Sequence, residues 1–207
     1  MARTSNPAAP TPSASAASAG DASSDTKTDL ARFDNGWYQP GPRWKILLWF
    51  LANSVFLNNY LPIPIALKTA ILRLFGAKVG IGVVIKPAVN IKYPWFLTIG
   101  NHVWIGEQVW IDNLSEVVIG NHACLSQGAL LLTGNHDYRR VTFDLTTRPI
   151  ILDEGVWIGA RAVVCAGVHC QSHAVLSVGS VATRSLSAYG IYQGNPAVLV
   201  RQRIITA

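Results

Sequence analysis

The chain has 207 residues, half of them apolar and only 14% charged, which suits one domain with a sizeable buried core. Lysine and arginine outnumber aspartate and glutamate 17 to 11, a net charge of +6 that invites an anionic ligand or surface. No run of clustered basic residues with interleaved aromatics accompanies that charge, so nucleic acid is not expected as the partner.

Residues 1–29 are largely Ala, Ser, Thr and Pro, with almost nothing large to bury. Such a segment cannot offset its ordering entropy, and a disordered tail is expected over 1–35. It lacks the continuous apolar stretch of a secretory signal. From Trp44 the character changes. "WKILLWFLANSVFLNNY" and "LPIPIALKTAILRLFG" predict two helices, about 43–59 and 64–75, separated by Pro62 and Pro64 and ended by Gly76 as a C-cap. The first is too short and interrupted to span a bilayer, which needs about 20 apolar residues. Two readings of the 36–76 segment stand: it caps the main domain, or it lies in a membrane interface with Arg43, Lys45, Lys68 and Arg73 near the headgroups.

A six-residue rhythm follows. "IGNHVW" (99–104), "IGEQVW" (105–110), "IGNHAC" (119–124) and "LSQGAL" (125–130) lead to a break, and "LDEGVW" (152–157) resumes the pattern, which runs through "LSVGSV" (176–181). Position one is Ile, Leu or Val, position two is often Gly, and position five is small. A period of six fits neither a helix nor a lone strand, but it fits a short strand plus a corner, repeated. Three such units make a triangular coil, in which each position-one side chain stacks on its counterpart about 18 residues later and successive coils pair as parallel strands. About five coils fit between Val79 and Thr183. The domain organisation predicted is therefore a solenoid over 77–184 with a loop at 133–150, followed by a C-terminal segment at 185–207. Cys124, Cys165 and Cys170 fall within the rhythm and are too few and wrongly spaced for a disulfide framework or a cysteine zinc site. They are expected as small buried hydrophobes, and a reducing compartment follows.

The segments "VVIKPAVNIKYPW", "VWIGEQVWIDNL", "LLTGNHDY", "VWIGARAVV" and "IYQGNPA" resemble the hexapeptide-repeat acyltransferases, and are most similar to the sugar O-acetyltransferases of colanic-acid and related exopolysaccharide biosynthesis. The resemblance runs over about 36–203. It implies a mainly β fold, a left-handed parallel β-helix; general rules for crossover connections would have given the opposite hand. It also implies acetyl-CoA as cosubstrate, a sugar or lipid-linked oligosaccharide acceptor, a homotrimer, and a cytoplasmic location at the inner face of the membrane.

The interruption at 133–150 then acquires a role. A solenoid surface has no pocket of its own, and an extruded loop supplies walls. The resemblance makes His136 the general base that takes the proton of a sugar hydroxyl as it attacks a thioester, chemistry suited to an imidazole. It places Asp112 and Asn135 at the acceptor. It puts Trp157, Ala160, Val178, Thr183, Arg184 and Arg201 along the coenzyme, with backbone N–H groups near Ala160 available to the thioester oxygen. Val198 stands where the family often has a basic residue for the coenzyme's phosphates, and Arg201 and Arg203 are the nearby substitutes.

The remaining histidines bear on a different class. His102 and His122 share position four and are expected to stack at a corner, whereas His169 and His173 occupy different positions and should point apart. Three histidines hold the metal in carbonic anhydrases built on this same β-helix. No third histidine is expected in register, so a solvated pair and no metal are predicted. A metal-dependent hydratase and a non-catalytic scaffold remain as alternatives.

Overall fold

In the computed structural model, residues 27–206 are described, so most of the tail expected to be disordered lies outside them. Along the solenoid, side chains at positions five and one of each hexad point inward and position six points out. Val103, Trp104 and Ile105 show the pattern: Val103 and Ile105 are fully buried and Trp104 is exposed. Period-two strands produce this alternation, and the Gly or left-handed residue at each corner turns the chain to the next face.

The coils build three parallel sheets. The first face carries Lys78–Val79, Leu97–Ile99, Val117–Ile119, Ile150–Leu152 and His169–Cys170. The second carries Val84–Ile85, Trp104–Ile105, Cys124–Leu125, Trp157–Ile158 and Val175–Leu176, and is closed by an antiparallel hairpin, Gly190–Gly194 with Ala197–Gln202. The third carries Asn90–Ile91, Trp110–Asp112, Leu130–Leu132, Val163–Val164 and Val181–Ala182. Five coils are thus complete on all three faces.

The coil length differs from expectation in the early turns. Ile85 pairs with Ile105 and Ile105 with Leu125, steps of twenty, whereas Ile158 pairs with Leu176 after the expected eighteen. The surplus sits at one corner, between the third and first faces. There the Asn113 side chain accepts from the Tyr93 N–H (3.0 Å) and donates to the Tyr93 carbonyl (2.6 Å), and Thr133 Oγ1 accepts from the Ser115 N–H (3.1 Å). Buried polar side chains here replace the hydrogen bonds that the wider turn cannot make with itself.

Helix α1 (Arg43–Phe56) and helix α2 (Ile65–Leu74) lie across the open end of the first coil. α1 stops three residues before the expected end, with the Asn58 N–H and the Leu57 N–H both donating to the Asn53 carbonyl. Each face of the first coil receives a helix side chain on its otherwise unpaired carbonyls. Arg73 donates to Val79 and Gly80 (2.9 Å to each from Nη2), Lys68 Nζ to Ile85 (3.3 Å) and Lys86 (3.1 Å), and the Trp49 indole N–H to Ile91 (2.8 Å). The outward side of α1 leaves Trp44, Leu47, Phe50 and Leu51 exposed. No described helix is long and apolar enough to cross a membrane.

Two expectations need correction. Cys170 is buried, but Cys124 and Cys165 occupy outward positions and are only half-buried. His173 does fall in register: Gly82, His102, His122, Gly155, His173 and Tyr189 form one corner column, all with positive φ. His102 stacks on His122 (centroids 5.2 Å apart), while Gly155 separates His122 from His173, which stacks on Tyr189 (4.9 Å). The interruption at 133–150 puts a step of 33 residues between His122 and Gly155 in this column, and His173 follows eighteen later at the same fourth hexad position.

Candidate active site

The rhythm breaks at the widened corner, where the chain leaves the third face after Leu132 and rejoins the first at Ile150. Between them Gly134–His136 pairs antiparallel with Leu145–Thr147, so the expected loop is a hairpin. Its strands set His136 opposite Leu145, and its tip bends back so that the Phe143 carbonyl lies 2.8 Å from His136 Nδ1. A carbonyl only accepts, so Nδ1 carries the proton and the lone pair resides on Nε2. The Phe143 ring stacks on the imidazole (4.4 Å, 7° between planes), which fixes its orientation. A pinned tautomer with a free, oriented Nε2 is what a general base requires.

Two cavities meet at His136. One, of about 450 Å³, is lined by Phe33, Asn35, Tyr38, Lys92, Tyr93 and His136, among others. Behind its lining Asp112, 7% exposed, has its Oδ1 3.2 Å from Lys92 Nζ, yet neither this contact nor any other gives Oδ1 a well-directed hydrogen bond. The phenols of Tyr38 and Tyr93 are pushed up by burial, and further by the nearby Asp112 carboxylate, so both stay neutral. The other cavity is polar and includes Asn135, Asp137, Arg139, Thr146 and Arg148. Asn135 belongs to this side, and its Oδ1 accepts from the His136 N–H (2.8 Å). The structure therefore does not gather Asp112 and Asn135 into one cavity.

The residues expected along the coenzyme divide in the same way. Trp157, Ala160, Val178 and Arg201 line one groove of about 520 Å³ on the second face. Trp157 donates from its indole N–H to Ser126 Oγ (2.9 Å), which ties its ring to a second lining residue. The Ala160 N–H has no hydrogen-bond partner among the described residues and so is available to an oxygen in the groove. Arg203 is spent on the carbonyls of Gly155 (2.9 Å) and His173 (3.2 Å), leaving Arg201 as the exposed cation. Thr183 and Arg184 are exposed at the end of the third face and do not line this groove.

His136 and the groove share no lining residue, because the hairpin leaves one corner of the triangle and the groove occupies another face. Phe33, Tyr38, Lys92 and Tyr93 are the site residues that sequence reasoning missed. Their signal was the aromatic interleaving of "RFDNGWYQP" and of "NIKYPW", directly beside polar and basic residues. Among the described residues no group of three or more His, Cys, Asp or Glu stands close enough to hold a metal.

No protein-family model matches the chain. WcaF of Escherichia coli, a protein named for acetyl transfer in colanic acid biosynthesis, is 36% identical over 169 residues, covering 82% of this chain and 93% of its own. A hexapeptide-repeat acetyltransferase of Vibrio cholerae superposes with a TM-score of 0.69 at 23% identity, covering 78% of this chain and 94% of that one. The same protein has been solved with acetyl coenzyme A, and that structure superposes at 0.67 with 22% identity, covering 77% and 86%. A galactoside acetyltransferase in complex with coenzyme A superposes at 0.69 with 20% identity, covering 77% and 80%. The likeness shows the fold, a parallel β-solenoid of hexapeptide repeats.

Proposed function

Because the chain belongs to the hexapeptide-repeat acetyltransferases, we propose that it moves an acetyl group from acetyl-CoA to a sugar hydroxyl in exopolysaccharide or surface-glycan synthesis, with His136 as general base. The observation that carries this reading is the His136 imidazole, pinned by the Phe143 carbonyl and open at Nε2. Nε2 takes the hydroxyl proton as the oxygen attacks the thioester carbon. The tetrahedral oxyanion accepts from the Ala160 N–H, and the collapsing intermediate expels coenzyme A thiolate, which recovers the proton from the imidazolium. No enzyme nucleophile is required. The one fully buried thiol, Cys170, is pushed up to about 12 by burial and stays protonated.

The separation of His136 from the groove within one chain supports assembly: a second copy would bring its groove to this hairpin, as in a homotrimer. The exposed apolar side of α1 would then face another subunit or the inner surface of the membrane, where a lipid-linked acceptor is presented in the cytoplasm. Of the four basic residues expected at the headgroups, Lys45 lies over the Trp95 ring (4.4 Å to its centroid), Lys68 is buried and Arg73 is bonded to carbonyls. Lipid contact would thus rest mainly on apolar surface with Arg43 alone, and vesicle flotation should depend only weakly on lipid charge.

The test is thiol release from acetyl-CoA with a panel of glycosides. His136→Ala should lower turnover by about 10²–10⁴-fold while leaving coenzyme affinity intact. Near-normal turnover in the purified variant, or a fully active monomer in sedimentation, would sink the corresponding part of the proposal.

A further inference from the structure

The segment ahead of α1 does not trail away. From Lys27 to Pro40 it runs back along the widened corner as a strap, starting well before the expected tail boundary at residue 35. Three ties hold it. The Asp29 N–H donates to the Val141 carbonyl in the hairpin (2.9 Å), the Tyr38 hydroxyl donates to the Leu114 carbonyl (2.6 Å), and the Pro40 carbonyl accepts from the Trp95 indole (2.7 Å). Between the first two ties the half-buried Phe33 reaches the His136 ring, with centroids 5.7 Å apart. The cavity of about 450 Å³ thus has the strap as one wall, the solenoid corner as its floor and the hairpin as its other wall.

We infer that this strap is part of the acceptor site, and that Phe33, with Tyr38 and Tyr93 beside it, selects a neutral pyranose ring for presentation to His136. The inference rests on the acetyl-transfer reading and adds to it the class of acceptor. The three rings offer apolar faces of the kind that pack on the C–H side of a pyranose, and a rigid aromatic wall loses little entropy on binding. The charges point the same way. Lys92 is the one cation on the wall and is offset by Asp112 at 3.2 Å; Tyr38 and Tyr93 stay neutral. The cavity therefore has no spare positive charge to receive a carboxylate, whereas the Lys92 ammonium on its wall can donate to a hydroxyl. The polar cavity across His136 has charge from Arg139 and Arg148 but, beside His136, a single ring, the largely exposed Tyr138.

Binding of methyl glucoside, methyl galactoside and methyl glucuronoside to the coenzyme-loaded protein, read by saturation-transfer NMR titration, tests this without relying on turnover. The neutral glycosides should bind and the uronoside should bind more weakly. Phe33→Ala and Phe33→Leu, the second keeping an apolar plug without an aromatic face, should each weaken neutral-glycoside binding about tenfold at unchanged coenzyme affinity and melting temperature. Uronoside binding as tight as the neutral sugars, no glycoside binding by the wild type, or unchanged affinity in both variants would overturn the inference. So would a loss of turnover at unchanged glycoside affinity, since that is what mere steadying of His136 predicts. Glycosides bound through Phe33 but never acetylated would instead sink the acetyl-transfer reading and leave the strap's role standing. Acetylation indifferent to Phe33 would do the reverse.

Discussion

Inside the coils, every buried side chain meets its own kind one coil above and below: Ile85, Ile105, Leu125, Ile158 and Leu176 form one inward column on the second face. At the corner between the third and first faces nothing repeats. Tyr93, Asn113 and Thr133 occupy equivalent levels with different bonds, and the hairpin and the strap each join this corner at one level alone. The column is bound by volume and burial, with one hydrophobic answer at each position. The corner is bound by particular hydrogen bonds and ring contacts. Stability should therefore reside in the first region and chemistry in the second.

A crossed pair of substitutions can break that comparison, and it carries the largest expected effects. Ile105 is fully buried, and Ile105→Ala should cost about 2–5 kcal/mol while leaving the turnover of the folded fraction near wild type. His136→Ala, at a half-buried position on the hairpin, should do the opposite: the turnover loss proposed above with less than about 1 kcal/mol lost in stability. Urea unfolding and steady-state rates on the same preparations read both axes. If His136→Ala unfolds the protein, or Ile105→Ala selectively removes turnover, the division between column and corner does not hold.

The same division explains what was legible beforehand. A column declares itself in sequence because its requirement recurs, so the coils, the interruption and the histidine at its mouth could be read from spacing. Trp157, Ala160 and Val178 come together on one groove because their hexad positions share a face, and Arg201 joins them from the closing hairpin. The strap could not be read this way. Phe33 meets His136 across more than a hundred residues, and no period links them. Its composition also merges into the low-complexity tail. His173 shares the fourth hexad position of His102 and His122, but the interruption puts a step of 33 residues between His122 and Gly155, so no fixed step leads from one histidine to the next.

The open end of the solenoid is intermediate, being part of the column yet sealed by individual bonds. Trp49 is 2% exposed and packs on Phe75 (centroids 5.2 Å apart) while its indole N–H serves the Ile91 carbonyl. Trp49→Phe keeps most of the packing and orphans that carbonyl, so a loss of about 1–3 kcal/mol is expected in urea unfolding. A loss below about 0.5 kcal/mol would mean that water replaces the indole and the end is not sealed.

Lys68 gives the smallest effect and the most specific one. Its side chain is buried beneath α2 with the ammonium on the carbonyls of Ile85 and Lys86, and burial holds its pKa below the ordinary 10.5. Between the folded value and 10.5 the unfolded chain binds more protons at this site than the folded one. Stability must then rise with pH across that window, while below it the cost of burying the charge is fully present. The slope from one group cannot exceed about 1.4 kcal/mol per pH unit. Lys68→Met removes the titrating group but retains the length of the stem, so the difference in unfolding free energy between wild type and variant cancels the other lysines and tyrosines. That difference should move in favour of the wild type as pH climbs towards 10.5. A difference that stays flat would mean the ammonium is as well solvated when folded as when unfolded, and that the end of the second face is open to water.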